Sequence, residues 1–332
     1  MLIVFSALVS YLLLSAASAA TAPLVQRWAA HLPPWHRSWA LLVFALLPLV
    51  LTVLSVSFLF LPGLNLLVSG EHCHGNDCMA HPPHLAPEQA RAATVAALVL
   101  GFPWLGVTLL TAMAVWRSTR LSLMLAGLAE QGGRHDYRTL SSRHPTAMCL
   151  GLLKPVVVVS QGLVQTLSRD AFQCVLLHEH AHALRFDNLR QLLASMGTLA
   201  WPRGRRRGFL QEMGLAAELA CDAAVVSAGY AGEDVASAIT EVSALVEAAT
   251  GGVGSAGKQG CLHEALRTRC TALRNPMGGP VNGPVNGHGE GSANGRAALK
   301  WLGLGSATLL VLATLGTARL LHHAAEHILS LG

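Results

Sequence analysis

Four stretches of the chain are apolar for long enough to cross a bilayer, about residues 2–22, 39–61, 92–116 and 301–318. Each approaches or exceeds the roughly 18 to 20 residues a spanning helix needs. Apolar side chains follow one another in these stretches without the alternation of a half-buried strand, so the pattern predicts helices. Pro48 and Pro103 fall inside two of them, where a membrane helix tolerates a local kink. Lys300 and Arg319 flank the last and shortest, placed to snorkel toward its two surfaces. The small residues from Ala16 to Ala20 resemble a signal-peptide cleavage site, but no Lys or Arg precedes the first apolar run, so a retained span is expected.

Basic residues orient the spans. Arg27 and Arg37 lie between the first and second, the 62–91 loop has neither Lys nor Arg before Arg91, and Arg117, Arg120, Arg134, Arg138 and Arg143 follow the third. The positive-inside rule then puts the amino terminus and the 62–91 loop outside, the region after the third span in the cytoplasm, and the carboxyl tail outside. The organisation expected is two membrane helices in 1–61, an extracytoplasmic loop at 62–91, a third helix at 92–116, a cytoplasmic domain at 117–276, a linker at 277–298 and a fourth helix at 299–320. The linker repeats Pro-Val-Asn-Gly (Pro280 to Gly283, Pro284 to Gly287) and has too few apolar residues to pack, which reads as a flexible tether.

Composition agrees with a multi-pass cell-membrane protein. Of 332 residues, 52% are hydrophobic and 12% charged, and the mean hydropathy of +0.46 excludes an ordinary soluble globule. A net charge of +5 suits a protein seated against an anionic inner leaflet. Arg203, Arg205, Arg206 and Arg207 form the sharpest cluster, after the apolar stretch 192–201, and predict an interfacial helix whose basic end meets membrane lipids. The cluster lacks the aromatic stacking pattern or recognition helix of a nucleic-acid site, so no direct nucleic-acid partner is expected.

The sharpest chemistry lies in His178-Glu179-His180-Ala181-His182, an H-E-x-x-H pattern. On a helix, residues four apart share a face, so His178 and His182 can offer imidazole nitrogens to one Zn²⁺ while Glu179 serves as general base. Lys154-Pro155 leads into a β-branched strand, Val156 to Val159, and Ser168 reads as the N-cap of the motif helix with Asp170 in its first turn. Phe172, Cys174, Val175, Leu176 and Leu184 give that helix an apolar side, and Asp170, Arg185 and Asp187 make its borders polar and water-accessible. A third ligand has to come from another helix. The best-placed acid is Glu218, in an alanine-rich segment where Asp222 follows four residues later and could fix the orientation of a ligating imidazole. His180 points about 200° round the helix from His178 and should not reach the same ion.

In the outer loop, Cys73 and Cys78 stand among His72, His74, His81 and His84. The pair reads either as a disulfide in an oxidising compartment or as part of a Zn or Cu site, and the compartment favours the disulfide. Cys149, Cys174, Cys221, Cys261 and Cys270 fall on the inner side and are expected to be reduced. Residues 262–273 regain helical spacing and are expected to close the domain, with His263-Glu264 a surface pair.

The stretch Leu150-Gly151-Leu152-Leu153-Lys154-Pro155, the segment from His178 to Asp187 and Glu218-Leu219-Ala220-Cys221-Asp222 together resemble the BlaR/MecR family of membrane metallopeptidases, with related motifs in HtpX-type and CAAX prenyl proteases. The resemblance implies a mainly α membrane protein carrying a cytoplasmic gluzincin-like α+β peptidase domain with a small sheet. It also implies zinc held by His178, His182 and Glu218, with Glu179 as catalytic base and Asp222 in support. It implies a signalling protease that, after an outside event, cleaves a protein substrate, a cytoplasmic winged-helix repressor, or triggers its own cleavage. The family's β-lactam receptors carry a penicillin-binding sensor domain after the last span; none precedes Gly332, so direct β-lactam sensing is not expected here. The competing readings are a membrane-protein quality-control protease and a non-catalytic sensor with a structural zinc. The residue that stabilises the oxyanion is not singled out by the sequence; a Tyr, His or Arg of the late helix, Arg269 among them, is open.

Overall fold

The computed structural model describes residues 2–60, 137–250 and 256–275, with scattered positions between 72 and 131. Two apolar helices, α1 (Leu2–Ala29) and α2 (Pro34–Phe60), are joined by a short turn and fold back on each other. Pro34 opens α2, where its missing N–H costs nothing. Both helices run past the expected limits at the turn end, to Ala29 and from Pro34. At about 1.5 Å per residue they are ~40 Å long, more than the ~30 Å of a bilayer core. The turn end of the hairpin, from Ala19 to Ala45, is the part that packs on the rest of the protein.

Mostly small residues cover the buried faces of the two helices, turned to each other and to the rest of the protein. Ser10, Ser15, Ala19, Ala22 and Ala29 of α1 are buried, as are Ser38, Leu41, Ala45 and Ser55 of α2. Side chains of this size let backbones approach closely where packing, not water, must hold helices together. The hydroxyls of Ser10 and Thr52 donate to the carbonyls of Ser6 and Pro48 one turn back, so neither needs an outside partner. The opposite faces expose Ile3, Val4, Leu13, Val43, Val50 and Val53, as lipid contact requires. Among the described residues these two helices are long and apolar enough to cross a membrane. Most of the third expected span, and all of the 277–298 linker and the fourth span, lie outside the described residues.

A hairpin of β1 (His72–His74) and β2 (Asp77–Met79) sets Cys73 opposite Cys78. A second, mixed sheet contains β3 (Glu130–Gln131), β4 (Tyr137–Leu140), β5 (Ala147–Leu150) and β6 (Val156–Ser160) in the order β3-β4-β6-β5. The expected β-branched strand is the buried β6, parallel to β4 and antiparallel to β5. Ser160 ends it and caps the short α3 (Gln161–Thr166), its Oγ accepting from Leu163 N and from Thr146 N.

The rest is helical: α4 (Arg169–Arg185), α5 (Asp187–Gly197), α6 (Arg203–Ser227), α7 (Gly232–Thr250) and α8 (Ala256–Arg274). One core joins the sheet to α4 and α7 through Val157, Val159, Leu163, Phe172, Val175 and Leu245. Another joins the membrane hairpin to the helical part through Leu41, Leu42, Ala45, Trp201, Phe209 and Met213. Gly197 marks the closest approach there, since a Cβ would overlap the Ala45 carbonyl of α2. The apolar stretch expected to lie at the interface is thus the end of α5 and the turn before α6, packed against the hairpin.

Candidate metal centre

α4 forms as its sequence predicts. Ser168 is its N-cap, with Oγ accepting from Ala171 N, and Asp170 sits in the first turn. Cys174 is buried among Val225, Val235 and Ala238, while Phe172, Val175 and Leu176 pack toward the sheet. Leu184 departs from the expected apolar side: it is 81% exposed, because at about 100° per residue it falls off the face on which Phe172, Leu176 and Ala183 pack. His180 faces away from the motif face, and its Nδ1 lies 2.8 Å from the Leu176 carbonyl.

Three side chains expected to share a ligand do converge. His178 Nε2 and His182 Nε2 are 3.1 Å apart, and they lie 3.3 Å and 3.4 Å from the two carboxylate oxygens of Glu218. Glu218 comes from α6, packed across α4, so residues forty positions apart meet because the two helices cross at the motif. These donor atoms all fall within 4.8 Å of one another, as a single ion requires.

Carboxylates stand behind both imidazoles. His178 Nδ1 is 3.0 Å from Asp222 Oδ1, in ion-pair range although the angle falls short of a hydrogen bond. Asp222 is almost fully buried, and Arg269 of α8 holds it with two bonds of 2.8 Å and 2.7 Å. Arg269 also pairs with Glu218 at 2.9 Å. Its three nitrogens therefore each meet a carboxylate.

The second support was not singled out in the sequence. His182 Nδ1 hydrogen-bonds Asp187 Oδ2 at 2.9 Å, and Asp187 is in turn paired with Arg185 and Arg190. Phe186 makes this contact possible: it adopts the left-handed conformation, with φ 53°, and turns the chain so that Asp187 points back at α4. Arg185, expected at a wet border, is instead buried, and the Asp187 side chain is only 11% exposed, because each satisfies the other's charge. The legible signal was a carboxylate five residues after the second histidine, flanked by two arginines.

The electrostatics call for positive charge between the rings. Burial alone would lower the basicity of both histidines, but Asp222 and Glu218 at His178, and Asp187 and Glu218 at His182, outweigh it and raise both. Burial pushes Glu218 the other way from its outcome: its contacts with the two histidines and Arg269 hold it far below the usual carboxylate range. With a proton on the Nδ1 of each ring, the side turned to a carboxylate, both Nε2 atoms would present lone pairs to a gap only 3.1 Å wide. A cation in that gap relieves the repulsion, and two imidazoles with one carboxylate are a donor set that zinc accepts. Glu179 projects into the same region, and burial raises its carboxyl above the ordinary range against the pull of the two imidazoles.

The site opens into a cleft of about 720 Å³ lined by His178, Glu179, His182, Glu218, Cys149 and Arg269, with α7 forming an apolar wall. Ala147, Met148 and Cys149 of the edge strand β5 form part of its rim. A separate cleft of about 480 Å³ gathers Arg203, Arg206 and Arg207 of the basic cluster with Gln191 and Gln211; Arg205 does not line it. Arg206 donates to the hydroxyl and carbonyl of Ser195. His263 meets Glu247 at 3.5 Å on the surface. Cys149, Cys174, Cys221 and Cys270 carry free thiols.

The model of the BlaR1 peptidase M56 family matches residues 76–248, just over half the chain. No curated protein and no solved structure matches.

Proposed function

The chain belongs to the BlaR1 peptidase M56 family, and from that premise we propose that it is a membrane-anchored zinc endopeptidase. His178, His182 and Glu218 hold the metal, Glu179 is the base, and the cleft faces the cytoplasm. The observation that carries this reading is the meeting of both motif imidazoles with Glu218 beside a carboxylate in an open cleft. When bound there, zinc supplies a Lewis acid that polarises a scissile carbonyl and makes water more acidic.

The chain's own residues do the rest. Glu179 takes a proton from the attacking water and returns it to the departing amine. Asp222 and Asp187 keep the two imidazoles turned with their Nε2 atoms inward. β5 supports a peptide as substrate: it is an edge strand on the rim of the cleft, and an extended chain can add beside it through main-chain hydrogen bonds. A cytoplasmic repressor cleaved in response to an outside signal is the substrate that family membership favours, and the apolar hairpin α1 and α2 is the anchor.

The test uses the detergent-solubilised full chain. Glu179→Gln is expected to retain one zinc per chain and to lose peptide hydrolysis, whereas His178→Ala or His182→Ala loses both. An active Glu179→Gln protein would rule out the assigned base. Turnover of a neighbouring winged-helix repressor, compared with that of an unfolded general substrate such as casein, separates signalling from quality control.

A further inference from the structure

Asp187 can orient His182 only if its own position is fixed, and what fixes it leads out of the metal centre into the membrane hairpin. Arg185 donates through Nε to Asp187 Oδ2 at 3.0 Å and through Nη2 to Ser38 Oγ of α2 at 2.9 Å. Its guanidinium also lies over the Trp35 ring, 4.7 Å from the centroid. Arg190 reaches Asp187 Oδ1 at 3.1 Å and lies over the Trp39 ring at 4.3 Å. Both arginines are buried, at 7% and 4% exposure. Yet Nη1 of Arg185 and Nε and Nη2 of Arg190 have no hydrogen-bond acceptor. A surplus of acceptors therefore does not locate these guanidinia. Besides Asp187 itself, two indole faces and one hydroxyl hold them, through cation–π attraction and a single directed bond.

On the metal reading given above, we propose that α2 is a working part of the metal centre: Trp35, Ser38 and Trp39 hold two buried arginines, which hold Asp187, which sets the His182 ligand. The three α2 residues sit on its first turn and a half, at the end that packs on the helical domain. The rest of α2 is one continuous apolar helix up to Phe60, so a shift or rotation of the hairpin moves the indoles, and with them the imidazole. Other attachments of the hairpin bypass Asp187. Arg37 pairs with Glu212 of α6, and Ala45 meets Gly197 of α5. These give an internal control, since cutting them loosens the hairpin without touching the route to His182.

The test measures zinc affinity of the solubilised full chain by competition with a chelator, beside the visible spectrum of the Co²⁺-substituted protein, which reports ligand geometry. Removing a group that orients a ligating histidine costs about 10- to 100-fold in metal affinity. The Trp35→Ala/Trp39→Ala double variant, one step further out, is expected to lose about tenfold and to shift the cobalt bands. Trp35→Phe/Trp39→Phe keeps aromatic faces and is expected to restore most of the affinity, and Glu212→Gln is expected to match the wild type. Ser38→Ala is the mildest cut, with an expected loss of a few-fold that Ser38→Thr restores. Wild-type affinity in either a folded double alanine variant or Ser38→Ala overturns the proposal. So does an equal loss in Glu212→Gln, which would mean general loosening. A wild-type chain that takes up no zinc overturns the metal reading itself, a result distinct from these.

Discussion

Arg269 and Asp222 face each other through two parallel bonds of 2.8 Å and 2.7 Å, and the third nitrogen of the same guanidinium lies 2.9 Å from Glu218. One side chain of α8 thus sets the acid behind His178 and the acid beside both imidazoles. A planar fork does this, and an ammonium cannot reproduce it. Arg269→Ala leaves Asp222 buried and short of its partner, so zinc affinity is expected to fall about 10- to 100-fold. Arg269→Lys is expected to recover only part of that. Metal content after dialysis against graded chelator checks both, and wild-type retention by Arg269→Ala would remove Arg269 from the centre.

The sequence carried the parts of the site that follow from local geometry. His178 and His182 share a face because a helix repeats every 3.6 residues, and Ser168 was readable as a cap because a hydroxyl before a helical pattern has one common use. Glu218 and Asp222 were readable only as a spaced pair, and the crossing of α4 and α6 makes them neighbours of the motif. Asp187 was misread as surface. A charged residue with two arginines nearby looks solvated in one dimension, and the left-handed turn at Phe186 that buries it leaves no composition signal. The indole of Trp39 was likewise absorbed into a membrane span, and that of Trp35 fell in the turn before it. Nothing in their spacing distinguishes interfacial anchors from cation partners on another element.

Cys149 gives a prediction about reactivity. It lies on the rim of the cleft, where burial first, and then the negative charge of Glu179, push its thiol up to about 11. The thiolate is the nucleophile, and its fraction at pH 8 falls tenfold for each unit of rise. Against the ordinary value of 9.0, Cys149 should be alkylated by iodoacetamide about 100-fold more slowly at pH 8 than an unperturbed thiol. Its rate should still be climbing at pH 10. Mass spectrometry of the Cys149 peptide over a pH series tests this, and a rate that levels off by pH 9 refutes it.

The arginine cleft predicts a lipid preference. Arg203, Arg206 and Arg207 line it, with no acidic side chain among the described residues of its lining, beside the turn that packs on the hairpin. Basic side chains near an anionic surface gain about 1 kcal/mol each. Anionic phosphatidylglycerol is therefore expected to raise the melting temperature of the solubilised chain more than phosphatidylcholine does. An Arg203→Gln/Arg206→Gln/Arg207→Gln variant should lose that difference and keep its zinc. An equal response to both lipids in the wild type would dismiss the cleft as a headgroup site.

Gly197 and Gly214 give a pair of substitutions with opposite expected signs. Both are in helices, where replacing Gly by Ala normally stabilises by about 0.5–1 kcal/mol because the unfolded chain loses freedom. At Gly214 of α6 an added Cβ meets nothing within 4 Å, so Gly214→Ala should raise the melting temperature. At Gly197 the new Cβ runs into the Ala45 carbonyl, which belongs to a helix backbone and cannot swing aside. Gly197→Ala must push α5 off α2, and overpacking of that kind costs about 1–3 kcal/mol. Thermal unfolding of the two variants in the same detergent decides the matter. A stabilised Gly197→Ala protein would mean that the hairpin does not seat on the domain at Ala45.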